Sequence, residues 1–428
     1  VHPYLRRRNG EEEVTYPHPL MKAALEKTLG VPLFQEQLMQ IAVDVAGFTP
    51  ADADELRQAM SHKRSDERMG ALRARLFAGM AGRGVPGDVA EKVFESLSAF
   101  ANFGFPESHS LSFASLVYSS AWMKLHYPAA FTAGLLNAQP MGFWSPQSLL
   151  ADAKRHGIAV HRPHVDLSRA GAAPLRAAGI RLGLASVRGI GTQTAERLAA
   201  GQPWQSLEDL VRRGGCTRAH LEALALAGAL DGLGTAAEGQ AVSQAEGQAV
   251  SQAVSQAEGR RALVWAAGAA AQATPGRLPG IVTGALAPPL PPRAAIEEVR
   301  DDLWALGVAP DRTAIELARP ALAARGLATI AEVVAASSSR VAFAGVVTHR
   351  QQPDTAHGAV FLNLEDETGM VNVVCSKGAW ARWRAVARSS STLVVKGRLE
   401  RAQGVANVVA ERFEPLSLGP VPGSRDFR

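Results

Sequence analysis

Apolar residues recur every three to four positions through the first third of the chain and every second position near its end, so one uniform architecture cannot serve both stretches. Across residues 19–137 the pattern is helical. Leu33, Gln37, Ile41 and Val45 fall along one line, and breaks come at Gly47, Gly84-Val85-Pro86 and Phe103-Gly104-Phe105-Pro106. A second compact region, residues 180–233, reads as short helices separated by glycines. Residues 341–347, 359–365, 370–375, 393–398 and 405–409 then read as five strands, with a helix at 379–387 between the third and fourth. Five strands with a helix in that place is the order of an OB barrel.

Between these regions lie two stretches unsuited to a core. Gly239–Glu246 is repeated with one change as Gly247–Val254, and residues 237–259 hold no large apolar side chain, so they are expected to form a linker with some helical content from alanine and glutamine. Pro- and Gly-rich sequence over 275–292 reads as a second linker. The expected division is a helical region over 1–165, a hairpin module over 166–234, repeat and linker over 235–293, a helical connector over 294–339, the barrel over 340–416 and a tail over 417–428. The fold class is multidomain α+β.

Length and composition agree. The 428 residues suffice for two to four domains, and 47% hydrophobic against 20% charged residues is ordinary for a globular chain. A net charge of +5 with a pI near 9.4 suits an anionic partner without identifying one. The two cysteines, Cys216 and Cys375, have no neighbouring His ligands, which excludes a zinc ribbon and a disulfide framework and fits a reducing cytoplasm. No apolar run is long enough for a bilayer, so no membrane partner is expected. The opening Val1-His2-Pro3-Tyr4 carries no signal peptide and reads as an entry into something larger.

The most specific local motif is Val187-Arg188-Gly189-Ile190-Gly191 followed by Ala195 and Leu198. It has the helix-hairpin-helix pattern, in which a Gly-hydrophobic-Gly turn joins two short helices. Glycines let backbone N–H groups and the positive end of the second helix approach a phosphate. Ile190 would plug the hairpin into its core, while Arg188 and Arg197 add charge that attracts a DNA backbone without reading bases. The alternative is a plain glycine C-cap; the phase of Val187, Ala195 and Leu198 favours the hairpin. In the barrel, Val360, Leu362 and Leu364 alternate with Phe361, so Phe361 can face outward beside Lys396 and Arg398 and stack on single-stranded nucleic acid. Trp380 and Trp383 are better read as closing the barrel. Near the start, Arg57, Lys63 and Arg64 crowd a helix end where they could hold a triphosphate, although a solvated charged face is the ordinary reading. Asp52 and Asp54 superficially resemble paired metal-binding carboxylates, but they precede a helical run and read as acids at a helix start. No metal site is expected in this chain.

Two long runs carry a family resemblance. Gly30-Val31-Pro32-Leu33-Phe34-Gln35-Glu36-Gln37, with Leu56-Arg57 and Ala59-Met60, resembles the fingers domain of the bacterial C-family DNA polymerases, the polymerase III alpha family. Phe103-Gly104-Phe105-Pro106-Glu107-Ser108-His109-Ser110 is similar to the segment that follows, and Leu135-Leu136-Asn137 through Met141-Gly142-Phe143 resembles the error-prone branch. The hairpin and barrel come in that family's order. The resemblance implies a C-terminal portion of an enzyme that adds dNTPs to a primer on template DNA during translesion synthesis and repair. It also implies a palm whose aspartates hold two Mg2+ ions. The run that carries the first two is absent here, so this chain is expected to be inactive alone. Primer-template DNA, dNTP, the missing polymerase half and translesion accessory proteins are the implied partners. The family places the basic stretch near the incoming nucleotide, which favours Arg57, Lys63 and Arg64 for that role, but Gln58 stands where Arg is expected and His62 also departs. The rival reading is a stand-alone, non-catalytic DNA-binding protein or the remnant of a split gene.

Overall fold

The computed structural model describes residues 3–60, 65–100, 105–176, 179–233, 249–278, 287–291, 293–353, 356, 358–402 and 404–427, and divides into two units, Val1–Trp122 and Met123–Arg428. The first unit is helical. Helices α1 (Gln35–Ala46), α2 (Pro50–Met60), α3 (Ser65–Gly82) and α4 (Gly87–Phe100) enclose a core that includes Leu38, Ile41, Val45, Leu56, Leu76, Met80 and Leu97. Gln37, the polar member of the α1 line, is buried because its amide is fully used. Its oxygen accepts the N–H groups of Leu33 and Phe34 at 2.9 and 3.0 Å, and its nitrogen donates to Thr28 Oγ1 and the Ala24 carbonyl. Helix α5 (Glu107–His126) spans the division between the units and has no buried residue.

In the second unit, α6 (Pro128–Asn137) and α7 (Pro146–Arg155) pack on a small sheet formed by β1 (Ala159–His161), β2 (Ala173–Leu175) and β3 (Gly179–Arg181) in the order β1-β3-β2. Strands of three residues are too short to show alternation, so this sheet leaves no readable period in the sequence. Next come α8 (Thr192–Ala200), α9 (Leu207–Arg212) and α10 (Arg218–Leu226), whose buried faces share one core.

The linker expected over 235–293 needs correction. Residues 234–248 and 279–286 lie outside the described residues, but α11 (Ala249–Ala270) is a helix whose C-terminal half packs on α10. Ala267 and Ala270 are buried in the hairpin core with Leu263 and Val264 against them, and Arg260 is buried and faces Asp231 and Asp302. Small side chains let helices approach closely, and Ala267 and Ala270, which follow the repeat, supply that surface here. Helix α12 (Ala295–Leu306) joins the same core, and the short helices α13 (Ala314–Leu317), α14 (Arg319–Ala324) and α15 (Ile330–Ala335) lead to the barrel.

The barrel consists of β4 (Arg340–Gln351), β5 (Val360–Glu365), β6 (Met370–Cys375), β7 (Thr392–Ala402) and β8 (Val405–Pro415), with α16 (Lys377–Ser389) between β6 and β7. Neighbours run β5-β6-β8-β7-β4, and β4–β5 pairing closes the ring. Only β6 and β8 pair in parallel within that ring. This is the five-stranded OB barrel expected from the alternation. Inward residues Phe343, Leu362, Leu364, Val373, Val395 and Phe413 fill it. A last short strand, β9 (Arg425–Phe427), adds to β4 in parallel, so the tail is partly ordered on the barrel.

Replacing Ala267, which has no exposed surface, by Leu should cost about 1–3 kcal/mol in chemical denaturation, because an extra branch must enter a filled helix contact. An unchanged midpoint would restore the linker reading of that segment.

Candidate nucleic-acid interface

The hairpin turn is built by its glycines. Gly189 has φ +79°, a conformation that L side chains rarely adopt, and it reverses the chain so that the Ile190 N–H donates to the Val187 carbonyl at 3.0 Å. Val187, Ile190, Ala195 and Leu198 are all buried in the shared core. Ile190 is therefore the plug expected of it. The first helix of the hairpin is reduced to a 3-10 turn, Leu184–Ser186. The N–H groups of Leu184 and Ala185 are held by the carbonyls of Arg169 and Ala170, which leaves no room for a preceding helical turn.

Gly191 is the N-cap of α8 and brings no side-chain cap. The first intrahelical bond runs from the Ala195 N–H to the Gly191 carbonyl at 2.9 Å. The N–H groups ahead of it lack helical partners and stand at the positive end of the helix, where Gly191, Thr192 and Gln193 are exposed. A Cβ on Gly191 would meet nothing within 4 Å, so the approach to these donors is open. Arg188 is exposed, its guanidinium 4.8 Å from the centre of the Trp304 ring, and its N–H donates to the Ala305 carbonyl at 2.7 Å. Arg197 is placed differently. It points back along the module, donating to the Gly214 carbonyl at 2.7 Å, and so braces the loop after α9.

The other sequence-predicted residues are dispersed. In the barrel, Phe361 is half-buried and opposite Gln351 and Val374. Arg398 pairs with Glu400 at 2.7 Å, and Lys396 shares Glu414, at 3.3 Å, with Arg412 and Arg325. Trp380 and Trp383 pack against the barrel core, as read from the sequence. In the first unit, Arg57 lies in α2 but its side chain is outside the described residues, as are Lys63 and Arg64 entirely. Of the basic residues that follow, Arg73 pairs with Glu91 and Arg75 with Asp52 and Glu55.

Asp52 and Asp54 do not fit a metal pair. Asp52 forms a reciprocal cap with Thr49: its carboxylate accepts the Thr49 N–H and hydroxyl, and its own N–H donates to Thr49 Oγ1. Asp54 accepts from Gln58 at 2.8 Å. Among the described residues no cluster of three His, Cys, Asp or Glu side chains could hold an ion. Hydrogen bonds from the Thr49 hydroxyl and N–H, then from Arg75, hold the Asp52 carboxyl at about 2, below its ordinary 3.8. A depressed carboxylate contributes stability that is present above the unfolded value and lost as pH falls through the folded one. Asp52→Asn should therefore lower the melting temperature at pH 7, and its gap to the parent should narrow between pH 4 and about 2. A gap constant over that range would remove Asp52 from the helix cap.

Three family models match segments of the chain in order. The bacterial DNA polymerase III alpha subunit finger domain matches residues 1–84, a helix-hairpin-helix motif residues 157–239, and an OB-fold nucleic acid binding domain residues 341–416. Error-prone DNA polymerases align with the whole chain: that of Nocardia farcinica is 54% identical over 436 residues, that of Mycobacterium tuberculosis 51% over 435 and that of Corynebacterium glutamicum 48% over 432. The chain matches the C-terminal portion of error-prone DNA polymerases. It spans 37%, 38% and 39% of the lengths of these three relatives. The helix-hairpin-helix and OB modules of this polymerase portion coincide with the uncapped turn at Gly191 and the closed barrel. No helix among the described residues is long and apolar enough to cross a membrane.

The sequence reading missed the cluster of Phe143, Trp144, His349 and Phe427, whose rings lie 4.7–6.2 Å apart, because its members come from three distant stretches. It also passed over Arg384 and Arg388, because the expected helix stopped at 387, whereas the observed one runs to Ser389 and puts both on one face.

Proposed function

We propose that this chain is the DNA-holding C-terminal portion of an error-prone polymerase that works in the cytoplasm on primer-template DNA during damage-induced synthesis. The observation that carries the reading is the uncapped N-terminus of α8 behind Gly191, open to solvent and flanked by Arg188. Such a site suits a backbone phosphate and is indifferent to base identity. In this reading, Arg188, Gly189, Ile190 and Gly191 serve the duplex, Arg197 supports them through the Gly214 loop, and Arg57, Lys63 and Arg64 attend the dNTP. Magnesium would supply charge neutralisation for nucleotidyl transfer, held by carboxylates of the portion outside this chain. This chain alone is then inactive.

Helix α5 favours work alongside that portion over a stand-alone role. Leu111, Leu116, Val117 and Tyr118 are 62–81% exposed on it, and large apolar side chains grouped on an exposed helix mark an interaction surface. The relatives are more than twice as long, and their additional portion is the occupant we assign to this surface. Primer extension with magnesium and all four dNTPs should be absent with this chain alone and appear when the preceding portion of the Nocardia relative is added. Extension by the chain alone, or none with the added portion, overturns the reading.

For the hairpin, duplex affinity should fall with salt by about 0.9 logarithmic units per phosphate contact. Gly191→Val, at φ −71° with open space around it, should keep the melting temperature and weaken all duplexes alike. Gly189→Ala should instead destabilise the fold by about 1–2 kcal/mol, since its φ is positive. A folded Gly191→Val variant with parental affinity would make the turn purely structural.

A further inference from the structure

Lys396 and Arg398 each have a carboxylate in contact, and no ring contact is found at either among the described residues. A cationic, ring-bearing surface is found beside the end of β4. A cleft of 490 Å³ lies between Arg350, Gln351, Trp380, Arg384, Arg388 and Phe427. Arg384 and Arg388 stand one turn apart on α16, both exposed, with no ion-pair partner among the described residues. Arg350 is buried and committed to structure, donating to the carbonyls of Ala387 and Ser390 and to Ser424, with Asp426 at 3.2 Å. Asp426, the acid lining the cleft among the described residues, is paired with Arg350, which leaves Arg384 and Arg388 as its cations without a described ion-pair partner.

The cleft runs into a stack of rings. Phe427 is 37% exposed and lies parallel to Phe143, with centroids 5.2 Å apart and an interplanar angle of 7°. Phe143 in turn stacks on His349 at 4.7 Å and meets Trp144 edge-on at 5.4 Å, and both Phe143 and Trp144 keep about 40% of their surface exposed. The His349 ring nitrogen is bonded to the Phe143 carbonyl, which fixes the stack on the barrel. Burying these rings in the core would satisfy them better. Phe427, Phe143 and Trp144 instead stay partly exposed beside arginines that have no ion-pair partner among the described residues, the combination of rings and charge that suits a string of bases and phosphates.

We infer that this cleft and ring stack form a binding site for single-stranded DNA, with phosphates on Arg384 and Arg388 and bases on Phe427, Phe143 and Trp144. The inference rests on the nucleic-acid reading of the barrel, and it moves the site away from Lys396 and Arg398. An acidic peptide would use the arginines but has no use for stacked rings.

The test is fluorescence anisotropy of the full chain with labelled oligothymidylate and, separately, with a labelled duplex. The double variant Arg384→Ala, Arg388→Ala should bind oligothymidylate at least several-fold more weakly, with the salt slope reduced by about 1.4, that is about 0.7 for each phosphate on a single strand. Trp144→Ala should weaken it by about five- to a hundredfold, the range for losing one stacked base. Melting temperatures serve as the check on folding. Lys396→Ala with Arg398→Ala should change neither quantity, and duplex affinity should persist in the cleft variants while falling in Gly191→Val. Parental oligothymidylate affinity and slope in the charge reversal Arg384→Glu, Arg388→Glu would overturn the inference. So would polyglutamate competing as well as oligothymidylate at equal charge. If the parent bound neither DNA, the nucleic-acid reading itself would fail; loss confined to the cleft assignment leaves that reading standing.

Discussion

The second unit depends on one buried carboxylate. Asp302 of α12 accepts two hydrogen bonds from Arg162, at 2.5 and 2.6 Å, and faces Arg260 of α11 at 3.9 Å. Arg162 follows β1, also reaches Asp311, and donates to the Ala227 carbonyl at the end of α10. A small sheet, two helices and a helix end therefore meet at a single charge. Burial opposes the charged state of Arg162, but the bonds and charge of Asp302, followed by Asp311, carry its pKa above the ordinary arginine value. A buried pair of this kind adds little net stability against an apolar replacement, while losing one partner costs about 3–5 kcal/mol. Its effect is to fix geometry. It sets α12, and α12 supplies both the carbonyl that receives the Arg188 N–H and the Trp304 ring beneath the Arg188 guanidinium. The exposed turn at Gly191 thus gets its orientation from an interaction buried elsewhere in the module.

Asp231 shows the limit of that arrangement. It lies 3.5 Å from Arg260, yet burial pushes its pKa up against the opposing charges of Arg260 and Arg162. A carboxyl raised in the folded state loses stability as pH rises from its unfolded value through its folded one. Arg260 Nε is likewise buried with no bonding partner. The charge centre is best satisfied at Asp302 and least at its α11 edge, where the low-complexity repeat leads into the core.

What the sequence made legible follows from length and period. Five strands of six or more residues alternate long enough to be read, and the barrel follows from them. The three-residue strands β1 to β3 do not, and the first hairpin helix was overread because its backbone is claimed by residues 169–170. The packed half of helix α11 was not set apart from the linker around it because Leu263, Val264, Ala267 and Ala270 follow directly on a repeat without large apolar residues. The hairpin turn was legible because backbone geometry dictates residue type there, as at Gly189 with its positive φ and Ile190 in the core. Ion pairs between distant stretches were not legible: Lys396 meets Glu414, which it shares with Arg412 and Arg325, only once the strands are folded together.

Positive charges in the chain are of two kinds. Most arginines here brace the fold: Arg73, Arg75, Arg155, Arg162, Arg319 and Arg350 each hold carboxylates or carbonyls. A net charge of +5 spread over 45 basic residues therefore says little about where an anion binds. The informative cations for the proposed sites are those with no ion-pair partner among the described residues and a second recognition element beside them: Arg188 next to helical N–H groups, and Arg384 with Arg388 next to exposed rings. Charge draws a polyanion from a distance, but dipole or ring is what distinguishes duplex backbone from single-stranded bases at contact. In the function proposed here the two combinations sit on different modules, the hairpin for duplex backbone and the barrel for single-stranded bases.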